Sequence, residues 1–84
     1  MNMIETIIIG NEIQALETGK MVGKIEFALL DDQMSILHTY AYESGRGIGS
    51  LLLKTAVDWA EINHYTLIPI CSFAKSYLDK QRNG

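Results

Sequence analysis

Few side chains in this chain can do covalent or proton-transfer chemistry, and their order is informative. There is one cysteine, Cys71, and there are two histidines, His38 and His64. Cys71 closes the apolar run Leu67-Ile68-Pro69-Ile70-Cys71 and directly precedes an amphipathic segment over 72–81. A helix start favours the thiolate, the nucleophilic form of a thiol, and a neighbouring base adds to that activation. A small buried packing residue is the other role open to Cys71. His38 falls on the same face of an extended segment as Met34 and Ile36. It is either a base for the thiol or for an amine, or a hydrogen-bonded core imidazole. Thr39 then points to the opposite face and serves packing. Tyr77 is either a proton donor or a core aromatic, His64 caps or solvates the end of the preceding helix, and Trp59 reads as core. Two histidines and one cysteine far apart do not make a metal site.

A second chemistry belongs to Ser44-Gly45-Arg46-Gly47-Ile48-Gly49-Ser50. Glycines let a backbone adopt positive φ and approach a ligand closely. Amides at a helix start, with the helix dipole, favour an anion, and Arg46 adds positive charge. The loop therefore reads as a pyrophosphate cradle or as a plain glycine-rich turn. Two other phosphate motifs fail. A Walker loop needs Gly-Lys-Ser/Thr at its end, and none is present. The dinucleotide fingerprint G-x-G-x-x-G needs glycine where Ser50 or Leu52 stands.

These groups must be held by strands and helices. Ile7-Ile8-Ile9 is a β-branched run stopped by Gly10-Asn11, and a weaker strand follows over 12–16. A strand over 22–30 puts Ile25, Phe27 and Leu29 on one face. Asp31-Asp32-Gln33 is a turn, and a strand over 34–42 completes an antiparallel hairpin. The period then changes. Over 48–61 a polar stripe of Ser50, Lys54, Asp58 and Glu61 runs along an otherwise apolar helix, which predicts packing on most of its circumference. The run 67–71 suits a strand buried on both faces, although Pro69 leaves one side of it without a regular ladder partner. A last helix, over 72–81, turns Ala74, Tyr77 and Leu78 inward. The order predicts an α+β fold: a mixed sheet of antiparallel strands, then one right-handed βαβ unit and a C-terminal helix.

Composition bounds the function. The 84 residues read as one domain, 1–84, and 48% hydrophobic with 20% charged residues is globular rather than disordered. The net charge of −3 argues against nucleic acid as the partner, since such binders carry a basic stripe. No apolar run reaches the ~18 residues that span a bilayer. The start Met1-Asn2-Met3-Ile4-Glu5 lacks a basic n-region, and one cysteine makes no internal disulfide. The expected location is the cytoplasm.

The glycine loop, with Leu51-Leu52-Leu53 after it, resembles the acyl-CoA loop of the GNAT superfamily of N-acetyltransferases, commonly [Q/R]-x-x-G-x-[G/A]. Gly47 and Gly49 match its last two fixed positions, while Ser44 stands where Gln or Arg is expected. The chain is most similar to a short branch of that superfamily with a single cysteine. Members of that branch show His-Thr before the loop and Pro-x-Cys-x-Phe after the helix, matched here by His38-Thr39 and Pro69-Ile70-Cys71-Ser72-Phe73. The resemblance covers about residues 22–78. It implies a minimal GNAT-like fold and acetyl-CoA as co-substrate. It implies that Ser44, Gly45, Arg46, Gly47, Ile48, Gly49 and Ser50 hold the cofactor. It implies that Cys71 meets the acyl thioester, in one version as a covalent carrier. Tyr77 resembles the tyrosine that many GNAT enzymes use to reprotonate the CoA thiolate. Larger GNAT enzymes build the acceptor site from helices between their first strands, and residues 9–22 are too short for these. The expectation is therefore a large acceptor, such as an amine on a protein, or a second subunit that completes the site as a homodimer. A non-catalytic CoA-binding sensor or interaction module is the alternative.

Overall fold

The computed structural model describes residues 4–43 and 45–83. The elements follow as β1 (Ile4–Ile9), β2 (Glu12–Glu17), β3 (Lys20–Leu30), β4 (Gln33–Ala41), α1 (Ile48–Ile62), β5 (Thr66–Pro69) and α2 (Ser72–Asn83). The strands form a five-stranded sheet in chain order. Pairing is antiparallel from β1 to β4 and parallel between β4 and β5. This is the α+β arrangement expected, with α1 as the crossover of the βαβ unit. Tight polar turns dictate the antiparallel part. Between β2 and β3, Thr18 and Gly19 both take positive φ, 50° and 82°, which matches a two-residue loop to the twist of its strands.

The core lies between the sheet and the two helices. Ile13 and Ala15 of β2, Ile25 and Phe27 of β3, and Met34 and Ile36 of β4 are buried under Leu52, Leu53, Ala56 and Ala60 of α1. Ala74 brings α2 into the same cluster. The predicted polar stripe of α1 is exposed along its length. The opposite face of the sheet carries Glu12, Lys24, Glu26, His38 and Tyr40, all half-buried or exposed. There Lys24 Nζ lies 3.0 Å from Glu12 and 3.3 Å from Glu26. Gly23 shows how closely α1 approaches. A Cβ there would stand 2.7 Å from Ile48 Cγ2 and 2.7 Å from the Tyr40 carbonyl oxygen.

Three expectations need correction. First, β5 ends at Pro69 and is half-buried, not buried on both faces. It is an edge strand, paired with β4 and covered by helices on one face only. Second, Asn63 shares the capping of α1 with His64: the His64 backbone N–H donates to the Glu61 carbonyl at 3.2 Å, and the Asn63 side-chain amide donates to the Trp59 carbonyl at 2.8 Å. His64 takes the left-handed position after the helix, φ 61°, where glycine is usual. Third, the face assignment of His38 and Thr39 is reversed. Glu26 pairs with His38 but Phe27 pairs with Ile36, so Leu37 is an extra residue in β4. Side chains alternate with a period of two, and a bulge of one residue inverts every position beyond it. His38 therefore faces away from Met34 and Ile36, and Thr39 faces the helices.

Candidate functional site

The glycine loop opens α1 as predicted. Gly47 is the N-cap residue with φ 71° and ψ 21°, and no described side chain caps the helix. The first helical bond runs from the Leu51 amide to the Gly47 carbonyl, 3.0 Å. The amides of Ile48, Gly49 and Ser50 thus begin a helix where no intrahelical acceptor exists for them, and the first turn holds no acidic residue. Gly45 has φ 80°, and a Cβ on Gly45 or Gly47 would meet open space. Left-handed geometry, not crowding, requires glycine at both. A cavity of about 330 Å³ faces these amides, lined among others by Thr39, Ala41, Gly45, Gly47, Ser50 and Phe73. Ser44 lies outside the described residues.

Other loop residues have separate duties. Ile48 is a core side chain, 2% exposed, so only its backbone is available to a ligand. A Cβ on Gly49 would stand 2.6 Å from Phe73 Cζ, so this glycine seats the Phe73 ring across the start of α1. Arg46 braces the loop. Its guanidinium grips Glu17 at 2.9 and 2.6 Å and Glu43 at 2.6 Å. The Arg46 hydrogen bonds hold the Glu17 carboxyl below the usual carboxylate range, and Glu17 and Glu43 hold Arg46 in its charged form.

Cys71 adjoins Thr39, one of the residues that line this cavity. β4 and β5 pair only as far as Ile36 and Pro69. The amides of Ile70 and Cys71 then both donate to the Ile36 carbonyl, at 3.0 and 3.1 Å, and the chain turns into α2. The Cys71 carbonyl accepts the first helical bond of α2, from Lys75 N–H at 3.1 Å. Its sulfur accepts the Ala74 amide at 3.4 Å. That is the pattern of an N-cap side chain reaching the third helical residue, with sulfur in place of oxygen. The sulfur's other partner is Thr39 Oγ1, at 3.4 Å. Tyr77 lies one turn further along α2 and lines a shallow recess with Ser50 and Phe73 beside the start of α1. His38 lies beside Tyr40, with ring centroids 6.0 Å apart and the rings tilted, on the far face of the sheet. The structure brings the loop amides, Thr39, Cys71 and Tyr77 to one side and leaves His38 on the other. Among the described residues no group of three or more His, Cys, Asp or Glu could hold a metal. No described helix is long and apolar enough to cross a membrane.

A family model for GCN5-related N-acetyltransferases matches residues 12–83. The chain belongs to the GCN5-related N-acetyltransferase family. It is therefore an acetyltransferase that uses acetyl-CoA as co-substrate, and the uncapped start of α1 is a suitable place for that ligand's phosphates. Among solved structures it is similar to a GCN5-like protein from Staphylococcus aureus, solved by NMR, at TM-score 0.77 and 29% identity. That match covers 99% of this chain and 85% of the other. It shares its fold with the PaiA N-acetyltransferase from Thermoplasma acidophilum, crystallised with coenzyme A, at TM-score 0.63 and 18% identity. There it covers 87% of this chain and about half, 49%, of the other. No curated protein matches the chain.

Four side chains around the candidate site, Thr39, Glu17, Glu43 and Phe73, owe their places to tertiary structure. Thr39 reads as packing in the sequence because nothing local marks the bulge that turns it inward. Glu17 lies 29 residues from its partner Arg46, and Glu43, although three residues from Arg46, pairs with it only in the folded loop. Phe73 belongs to the run Pro-x-Cys-x-Phe, but its seat on Gly49 depends on how α1 and α2 meet.

Proposed function

We propose that this acetyltransferase carries the acetyl group on Cys71 before passing it to an amine on a large acceptor such as a protein. The supporting observation is the position of the sulfur. It caps α2 and touches Thr39, a residue that lines the cavity at the start of α1. In this reading the CoA pyrophosphate lies against the amides of Arg46 to Ser50. The Cys71 sulfur attacks the acetyl carbonyl carbon, and the carbon–sulfur bond to CoA breaks. The proton lost by Cys71 ends on the CoA sulfur, delivered by Tyr77. An acceptor amine then attacks the acetyl carbon on Cys71, the new carbon–sulfur bond breaks, and an amine proton returns to the cysteine. The reading gives His38 no step. A large acceptor is supported by the two-residue turn between β1 and β2, which leaves no helix to wall in a small one.

Intact mass after incubation with acetyl-CoA tests the relay. Both partners are thioesters, so an excess of acetyl-CoA over CoA drives loading. One acetyl mass, labile to hydroxylamine, is expected on the wild type and absent from Cys71→Ala. Cys71→Ser keeps a capping oxygen for the Ala74 amide and serves as the folded control, because loss of an N-cap alone costs about 1 kcal/mol. A wild-type protein that acetylates an amine yet never carries the adduct transfers directly, and the relay is wrong.

A further inference from the structure

We propose that the Thr39 hydroxyl is a positioning residue for Cys71, holding the sulfur in the orientation in which it attacks. This rests on the relay through Cys71. The bulge at Leu37 gives up a regular step of the β3–β4 ladder, and its effect is to exchange His38 for Thr39 on the helix face. The Thr39 side chain then lines the cavity and reaches the sulfur at 3.4 Å. The Ala74 N–H can only donate, so on that side the sulfur is an acceptor. A hydroxyl can do either. It accepts the S–H of the thiol and, after rotation, donates to the thiolate, so the contact survives loss of the proton. Two bonds from different elements, β4 and α2, fix two directions around the sulfur and leave another for the acyl carbon. Threonine suits the task because its branched Cβ restricts χ1 on a strand, so the hydroxyl is held in place.

The charged surroundings do not duplicate this role. No charged side chain of β4, β5, α1 or α2 is hydrogen-bonded to the sulfur among the described residues. Glu43, the acidic residue on the cavity wall, is engaged by Arg46. His38 is on the opposite face, and Lys54, on α1, pairs with Asp58. On α2, Lys75 meets Cys71 through its backbone amide, and Tyr77 lies in the neighbouring recess.

The test is the rate of iodoacetamide alkylation against pH in the intact chain, where Cys71 is the one thiol. Thr39→Val keeps the shape and removes the hydroxyl. It is expected to slow alkylation at pH 7 by about tenfold, the loss that follows when one hydrogen bond to a charged group is removed. Thr39→Ser is expected to stay within about twofold of wild type, and Thr39→Ala, which adds no methyl, to follow Thr39→Val. Circular dichroism confirms the fold of each. A wild-type profile in folded Thr39→Val or Thr39→Ala overturns the assignment, as does a Thr39→Ser profile as slow as theirs. The relay itself fails by a different readout, the missing acetyl adduct on wild-type Cys71.

Discussion

At the scale of single residues, the site separates groups by what they can donate. The amides at the start of α1 favour phosphate, while the Cys71 sulfur is met by one amide and one hydroxyl. What remains is a proton for the departing CoA sulfur. Tyr77, on α2 beside Ser50 and Phe73, is the phenol on this side of the sheet nearest the loop in the fold. General acid catalysis is worth about 10²- to 10⁴-fold. Tyr77→Phe should therefore lower kcat by about 10²-fold or more at unchanged acetyl-CoA affinity, measured by steady-state kinetics and calorimetry. Full turnover in the variant would return Tyr77 to packing.

At the scale of elements, the decisive contact is α1 against β3. Ile48 and Leu52 descend onto the strand at Gly23, where a Cβ would meet both a side-chain methyl and the Tyr40 carbonyl oxygen at 2.7 Å. The methyl can shift, but the carbonyl belongs to the β3–β4 ladder and cannot. Gly23→Ala should cost about 1–3 kcal/mol as an overpacking change. It should appear as a lower urea midpoint with an unchanged slope. A midpoint equal to wild type would mean that α1 sits further from the sheet than described. The same contact positions the loop, because Ile48 directly follows its last left-handed glycine. Arg46 supports the loop from the other side by tying it to Glu17 at the end of β2.

At the scale of the whole molecule, two helices share one face of a five-stranded sheet. The radius of gyration of 12.2 Å matches the ~12 Å expected of a compact chain of this length. Chains this short usually unfold as one cooperative unit, so ligand binding at the loop should be read in the melting of the entire fold. Acetyl-CoA at 100 times its dissociation constant should stabilise by about 2.7 kcal/mol. For a domain of this size that raises Tm by roughly 10–20 °C, measurable by scanning calorimetry. No shift at saturating acetyl-CoA would refute binding at the start of α1.

The element order, the antiparallel-then-parallel sheet and the glycine loop at a helix start were legible in the residues. Each is governed by local rules: alternation in 22–30, the polar stripe from Ser50 to Glu61, turn residues at Gly10, Thr18-Gly19 and Asp31. Proline at 69 likewise marked a strand with one unpaired side. What faced what beyond Ile36 was decided only by tertiary structure. A one-residue bulge leaves no mark in a period-two pattern until both strands are paired, and here it exchanged His38 for Thr39. The partners of Arg46 and of the Cys71 sulfur follow the same logic. Glu17 meets Arg46, and Thr39 meets Cys71, across gaps of 29 and 32 residues, and such contacts are set by how sheet and helices pack.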